Sequence, residues 1–241
     1  MGEIFRYWPV LLEGLQTTVG ISVLTIVLSA VGALVLGSLR LSRFRAARIA
    51  TVVLIELIRG PSVLIMLFWV YYAFPMLPGA PKIAPITAAI LVLSLAGSAY
   101  GAEIVRAGLA SIPKGQNEAC HALSLSRKNT LFRVILPQAL SQIVPGFGSM
   151  ARDMIKWTSI VSFVGVQDIL YAANSVRSET YETTKVFCLL ALTYYILTLL
   201  CGMAFKASES LLPMNRAMNR AMKSARTPVV AKASADMEGA R

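Results

Sequence analysis

Long apolar runs alternate with short basic stretches along most of the chain. A helix that crosses a bilayer needs about 20 mostly apolar residues, and five segments meet that length: about Leu15–Leu36, Ile49–Phe74, Ala84–Leu109, Gln138–Phe163 and Val186–Ala207. No charged residue occurs from Gly14 to Leu39 or from Ile83 to Ala102, and the last run is uncharged until Lys206. The second run carries Glu56 and Arg59, and polar residues break up the fourth. Between the third and fourth runs lies a segment of a different kind, "IPKGQNEACHALSLSRKNTLFRVILP" (Ile112–Pro137), which is polar, basic and bounded by Pro113 and Pro137. Pro113 and Gly115 should end the third span sharply. Helical spacing then resumes, with Ala119, Cys120 and Leu123 forming a small apolar stripe and Glu118, His121, Ser124 and Arg127 elsewhere on the wheel. Asn129 and Thr130 turn the chain into a second apolar piece, "LFRVILPQAL", with Pro137 inside it.

Composition agrees with a membrane protein. The chain has 241 residues, 56% of them hydrophobic and only 15% charged, where a soluble domain carries roughly 25% charge. The formal net charge of +11 would suggest nucleic acid in a soluble protein. Here the basic residues lie between apolar runs, so they read as topology determinants and contacts for anionic headgroups. The first apolar run is far longer than the roughly 7–15 residues of a signal-peptide core, and Arg40 and Arg43 follow it like a stop signal. Three cysteines without C-x-x-C spacing and a single histidine, His121, argue against a metal site or a disulfide framework.

Charge also orients the spans. The loop "RLSRFRAAR" (40–48), the segment from Arg106 to Arg133 and the tail from Lys206 onward together hold 16 of the 23 basic residues. Five spans put these three regions on one side, and the other side holds Arg6, Lys82, Arg177 and Lys185. Basic loops stay in the cytoplasm, so the N-terminus is expected outside and the C-terminus inside. The expected fold is an all-α integral membrane protein of about five transmembrane helices with a cytoplasmic helix after the third. The membrane domain should occupy 1–222, with the loop at about 112–137, and 223–241 should be a mobile cytoplasmic tail. Met214, Met218 and Met222 recur every four residues, as on a short helix lying along the inner surface.

Charges inside the membrane need partners or a cavity. Glu56 with Arg59 and Glu103 with Arg106 share i,i+3 spacing and read first as structural pairs. Arg152, Asp153 and Lys156, followed by Trp157, Thr158 and Ser159, form a third cluster for which a substrate pathway weighs equally. Ser94 and Ser98 share a face of the third span and add polar groups to that list. No G-x-x-x-x-G-K-[ST] is present, "GFGSMA" lies inside an apolar span with no preceding strand, and no hydrolytic triad can be assembled around His121. An enzyme acting alone is disfavoured. The cytoplasmic helix reads either as a loop resting on the membrane or as a helix that docks in a groove of another protein.

The residues of that helix carry a family resemblance. "EACHALS" followed nine residues later by "VILP" resembles the E-A-A-x-x-x-G-x9-I-x-L-P loop of ABC importer permeases. The wider context, including "IELIRGPSVLIMLFWVYYAFP", "LSLAGSAYGAEIVRAGLASIPKGQNEA" and "KWTSI", is similar to the polar amino acid branch (histidine, glutamine and arginine type) over roughly residues 7–212. The matching positions are Glu118, Ala119, Leu136 and Pro137, with Gly115 and Gln116 just before them. The departures are Cys120, Ser124 and Val134, where the family pattern has alanine, glycine and isoleucine, "RGPS" for R-G-T-P, and Trp157 for the acid of K-D-T-S.

The resemblance implies a multi-pass subunit of the bacterial inner membrane that imports polar amino acids or related small zwitterions. Its implied partners are a second permease subunit, identical or a sister chain, two ATPase subunits that bind ATP and Mg, and an extracytoplasmic solute-binding protein. The chain itself would hold no cofactor, bind no nucleic acid and be non-catalytic alone. The loop around Glu118, with Gly115, Gln116, Ala119, Cys120, Leu123, Ser124 and Pro137, would couple to the ATPase. Asp153, Lys156, Trp157, Thr158, Ser159, Ser94 and Ser98 would line the pathway. The rival class, a stand-alone secondary transporter or channel subunit, is usually built from internal repeats, and none is evident here.

Overall fold

The computed structural model describes residues 6–211 apart from Leu41 and Arg43. The methionine series at 214, 218 and 222 and the tail 223–241 lie outside the described residues. Among these, all regular structure is helical: α1 Trp8–Arg40, α2 Arg45–Arg59, α3 Val63–Phe68, α4 Pro85–Ala110, α5 Lys114–Ala122, α6 Leu136–Trp157, α7 Ile169–Thr180 and α8 Thr183–Leu211. They form two compact units, one from the chain up to Ala107 with Gly146–Met203, the other from Gly108–Pro145 and the segment that begins at Ala204.

Among the described residues three helices are long and apolar enough to cross a membrane alone: Trp8–Arg40, Pro85–Ala110 and Thr183–Glu209. The second apolar run is not the straight span expected from its length. It is two helices, Arg45–Arg59 and Val63–Met76, bent by 95°. The cause is the intervening "GPS" (60–62), since Pro61 has no N–H to continue the ladder and its ring clashes with the preceding turn. Beyond the bend, α3 widens into a π turn at Trp69–Ala73 and tightens into a 3₁₀ turn at Phe74–Met76. The fourth run is a 22-residue helix, α6, long enough to cross but too polar to qualify on apolarity. It is followed by a 3₁₀ stretch, Thr158–Val164, which ends at Gly165 with φ +83°.

In the larger unit α1 and α4 lie side by side and run in the same direction. Gly97 faces Ser29, Gly101 faces Ala33 and Gly37 faces Val105, a register that repeats every four residues. Reciprocally, Gly32 faces Ser98. Small residues at this spacing let two backbones approach, which is what holds helices together in lipid. A Cβ on Gly101 would stand 2.6 Å from the Ala33 Cβ. The seam also carries hydroxyls: Ser29 donates to the Ser94 carbonyl at 3.2 Å, and Ser98 donates to the same carbonyl at 2.6 Å. α2 adds to this layer by burying Ile55 and Ile58 with Ala99 and Ala102 of α4.

At the outer end α7 packs Ile169, Ala172, Ala173 and Val176 against Leu11 of α1 and Val186 and Leu190 of α8. One joint fixes α7 on α1. Thr18 donates its hydroxyl to the Gly14 carbonyl at 3.0 Å, and the same oxygen accepts the Ile169 N–H at 3.0 Å. Asp168 caps α7 by accepting the Tyr171 N–H at 2.9 Å. It is fully buried, and its second oxygen has no hydrogen-bond partner. Burial therefore pushes the carboxyl from 3.8 up to about 6, against the lowering effect of the helix N–H groups.

The smaller unit is built around α5. The helix starts directly after Pro113 and stops at Ala122 in a Schellman arrangement. The Leu125 N–H reaches the Cys120 carbonyl at 3.1 Å and the Ser124 N–H reaches the His121 carbonyl at 3.0 Å. That geometry requires a left-handed residue, and Ser124 has φ +54°. α5 packs on the π turn Thr130–Ile135, which runs on into α6. The wider turn accommodates Pro137, whose missing N–H and bulky ring would disrupt a regular α turn.

Three outcomes test these arguments. Gly101→Leu should destabilise the detergent-purified chain by about 1–3 kcal/mol, as overpacking does in a filled site, whereas Gly20→Ala, which meets nothing within 4 Å, should be neutral in the same thermal melt. The folded state holds the Asp168 proton more tightly than the unfolded chain does. Its contribution is thus complete below the unfolded value and is lost as pH rises through about 6. Asp168→Asn, which keeps the cap, should flatten the fall in melting temperature between about pH 4 and pH 6.5. Lastly, Ser124→Gly should match or exceed the parent in stability, while Ser124→Val should lose about 1–2 kcal/mol to left-handed strain. Equal melting of the two Ser124 variants would contradict the capping geometry.

Candidate functional site

Two sets of polar residues have no purely structural explanation: the exposed surface of α5 and the charged face of α6. On α5, Gly115, Gln116, Glu118, Ala119, Ala122 and Leu123 are exposed, Leu123 at 73%. Gln116 accepts a 3.3 Å hydrogen bond from the Gln138 side chain, which ties the helix to the chain just beyond Pro137. Cys120 departs from expectation. It is only 4% exposed and faces the interior of its unit, so it is not on the outward stripe with Ala119 and Leu123. The reason is helical phase: Ala119 and Leu123 lie one turn apart, while Cys120 is rotated by about 100° from Ala119 toward the π turn. The outward surface of α5 is therefore small and mixed, with Glu118 beside an alanine and a leucine.

On α6, Asp153 and Lys156 pair at 2.9 Å with both side chains more than half exposed. Arg152 donates to the Ser149 hydroxyl at 3.0 Å. Ser159 is partly exposed and donates to the Lys156 carbonyl at 2.8 Å. Thr158, by contrast, is fully buried and donates to the Ile155 carbonyl at 2.7 Å, which serves the backbone at the change from α to 3₁₀ helix. Ser98 is buried in the α1–α4 seam. The hydroxyl oxygen of Ser94 is also buried and has no hydrogen-bond partner.

Trp157 belongs to a stack that crosses three helices. Its ring lies 5.4 Å from the ring of Tyr100 at a 54° tilt, and the Arg59 guanidinium stands 5.0 Å from the Tyr100 centroid. Arg59 and Glu56 are 4.0 Å apart at their closest, so the pair expected from i,i+3 spacing is loose, and the Tyr100 ring is a second partner for the guanidinium. The second expected pair is tighter and larger than the sequence suggested. Glu103 accepts from Arg106 Nε at 2.8 Å through one carboxylate oxygen, and its other oxygen meets Arg40 at the end of α1. Sequence spacing cannot find Arg40, which is 63 positions away from Glu103. The available signal was that both residues close a span on the same side. Among the described residues no cluster of three or more His, Cys, Asp or Glu could hold a metal ion.

Residues 26–211 match the family model described as the inner membrane component of binding-protein-dependent transport systems. A probable amino-acid ABC transporter permease protein, y4tF of Sinorhizobium fredii, is 32% identical over 217 residues, covering 87% of this chain and 91% of the relative. The glutamine transport system permease protein GlnP of Escherichia coli K12 is 33% identical over 201 residues, covering 83% of this chain and 92% of the relative. Among solved structures, an amino acid ABC transporter crystallised with histidines superposes with a TM-score of 0.81 at 30% identity, covering 87% of this chain and 97% of that one. A match over most of the chain, relatives of this identity aligned nearly end to end and a shared helical fold agree: the chain belongs to the inner membrane components of binding-protein-dependent transport systems.

Proposed function

We propose that this chain is the transmembrane permease subunit of an ATP-driven importer for polar amino acids or related small zwitterions. The observation that carries the reading is α5: an exposed helix on the side that the basic residues assign to the cytoplasm, ended by a fixed left-handed cap, presenting Glu118, Ala119 and Leu123 outward. A helix placed this way serves as a docking element for a cytoplasmic protein. That protein is an ATPase subunit, two per transporter, and it binds the ATP and Mg. An extracytoplasmic binding protein delivers the ligand, and a second permease subunit completes the pathway. The substrate class is supported by relatives named for amino acids in general and for glutamine.

The pathway face is the exposed side of α6. Asp153 and Lys156 offer opposite charges one turn apart, complementary to the ammonium and carboxylate of a zwitterion, and Ser159 adds a hydroxyl. Trp157 stands where the family pattern has an acid, and Arg152 and Lys156 outnumber Asp153, so strongly cationic ligands are disfavoured. Thr158 and Ser98 hold the backbone and the helix seam behind this face.

The test is reconstitution with the ATPase and loaded binding protein. Ala119→Phe should overfill a close contact, a change that costs about 1–3 kcal/mol in packed sites, and Glu118→Lys reverses a charge. Neither lies in a span, so both variants should insert normally. Both should lose amino acid uptake and ligand-stimulated ATP hydrolysis and fail to retain the ATPase in a pull-down. Full stimulation in both variants would reduce α5 to a surface loop.

A further inference from the structure

A groove of about 310 Å³ opens between the end of α1, the start of α2 and the end of α4, lined by Arg40, Arg48, Ile49, Val52, Val53 and Arg106. Three guanidinium groups converge there on an apolar wall. Two acids are at hand: Glu103, each of whose oxygens is already engaged, by Arg40 and by Arg106, and Glu56, whose charge also reaches Arg40 but is matched by its neighbour Arg59. Arg48 is exposed and has no ion pair among the described residues. The groove thus keeps a surplus of two positive charges after its internal pairing.

The wall has a direction. Ile49, Val53 and Leu57 recur every four residues along α2 and are 53%, 59% and 69% exposed. They form a stripe that starts beside Arg48 and runs into the apolar span. The basic loops assign the groove to the cytoplasmic side, and Arg40 and Arg106 end or nearly end the spans α1 and α4. One unpaired cation and two that share a single carboxylate, at the headgroup level and continuous with an apolar track toward the bilayer centre, match one kind of molecule: an amphiphile with an anionic head and an acyl tail. Basic pockets between helices on the cytoplasmic side recognise anionic phospholipid heads in this way.

We propose that this groove is a binding site for an anionic glycerophospholipid, with the phosphate held by Arg48, Arg40 and Arg106 and an acyl chain lying along Ile49, Val53 and Leu57. Arg48 contributes the unpaired charge, while Arg40 and Arg106 hold the shape of the groove through Glu103. A zwitterionic lipid brings its own cation to the same place and gains less. Free phosphate fills the head position and leaves the apolar track uncovered.

Native mass spectrometry of the full-length chain in detergent tests this, with dioleoyl-phosphatidylglycerol and dioleoyl-phosphatidylcholine added in turn. The expected result is preferential retention of phosphatidylglycerol. Arg48→Gln should lower that retention about fivefold, the effect of one arginine near an anionic surface, and Arg48→Lys should restore most of it. Retention of phosphatidylcholine should not change between variants, which shows that the fold is intact. Equal retention of the two lipids by the parent would overturn the proposal. So would unchanged phosphatidylglycerol retention in Arg48→Gln, and displacement of the lipid by millimolar inorganic phosphate would reassign the site to the free anion.

Discussion

In hydrocarbon, an apolar side chain gains nothing by leaving lipid for protein, so two spans stay together only where their backbones can come close. The α1–α4 seam meets that condition through Ser29, Gly32, Ala33 and Gly37 on one side and Gly97, Ser98, Gly101 and Val105 on the other. Nothing larger fits at the glycines. The four-residue spacing keeps the pairing in one register over more than two turns, and a shift by one position would set bulkier residues such as Leu34 or Leu36 against the partner backbone. The seam therefore fixes how far along its neighbour each helix lies.

Several features follow from that register. It brings Arg40 to Glu103 at one end of the seam, so that a carboxylate bridges two arginines from different helices. It also places Tyr100 on the side of α4 where Arg59 and Trp157 can stack against it. These contacts are weak singly, about 0.5–2 kcal/mol for a cation over an aromatic ring, and cannot impose a helix position by themselves. They depend on a seam already closed. At the outer end, Thr18 holds α7 through its backbone N–H, and this too requires α1 to be fixed in rotation and height.

Much of this organisation was legible in the sequence, though unevenly. The lengths of α1, α4 and α8 follow from uninterrupted apolarity, and the stop of α5 follows from the position of Ser124 in a motif where glycine is usual. The bend at Gly60–Pro61 is also written in the residues, but an apolar average over the segment hides it. Spacing of three found the partners of Glu56, Glu103 and Asp153 within a helix and missed Arg40, because a contact between helices depends on register. The four-residue recurrence of small residues in α1 and α4 was the signal for that register. Cys120 was assigned to the wrong side of α5 because small apolar residues suit a tight internal contact as well as a docking stripe. Only the position of the π turn separates the two.

α6 shows why apolarity alone is a poor guide to what a membrane helix does. Its buried side, with Ala139, Ile143, Met150, Ala151 and Met154, is as apolar as any in the chain. Its other side carries Arg152, Asp153 and Lys156, and placing even one such charge in hydrocarbon costs about 2.5–3.5 kcal/mol on insertion scales. The Asp153–Lys156 pair reduces that cost and cannot remove it, since more than half of each side chain stays exposed and Arg152 remains positive. A helix with this division is stable in a membrane only if the charged side meets water or another protein. The same division that disqualifies α6 as an ordinary span thus argues for a neighbour across it. On the proposed reading that neighbour is the second permease subunit, with the translocation pathway between the two.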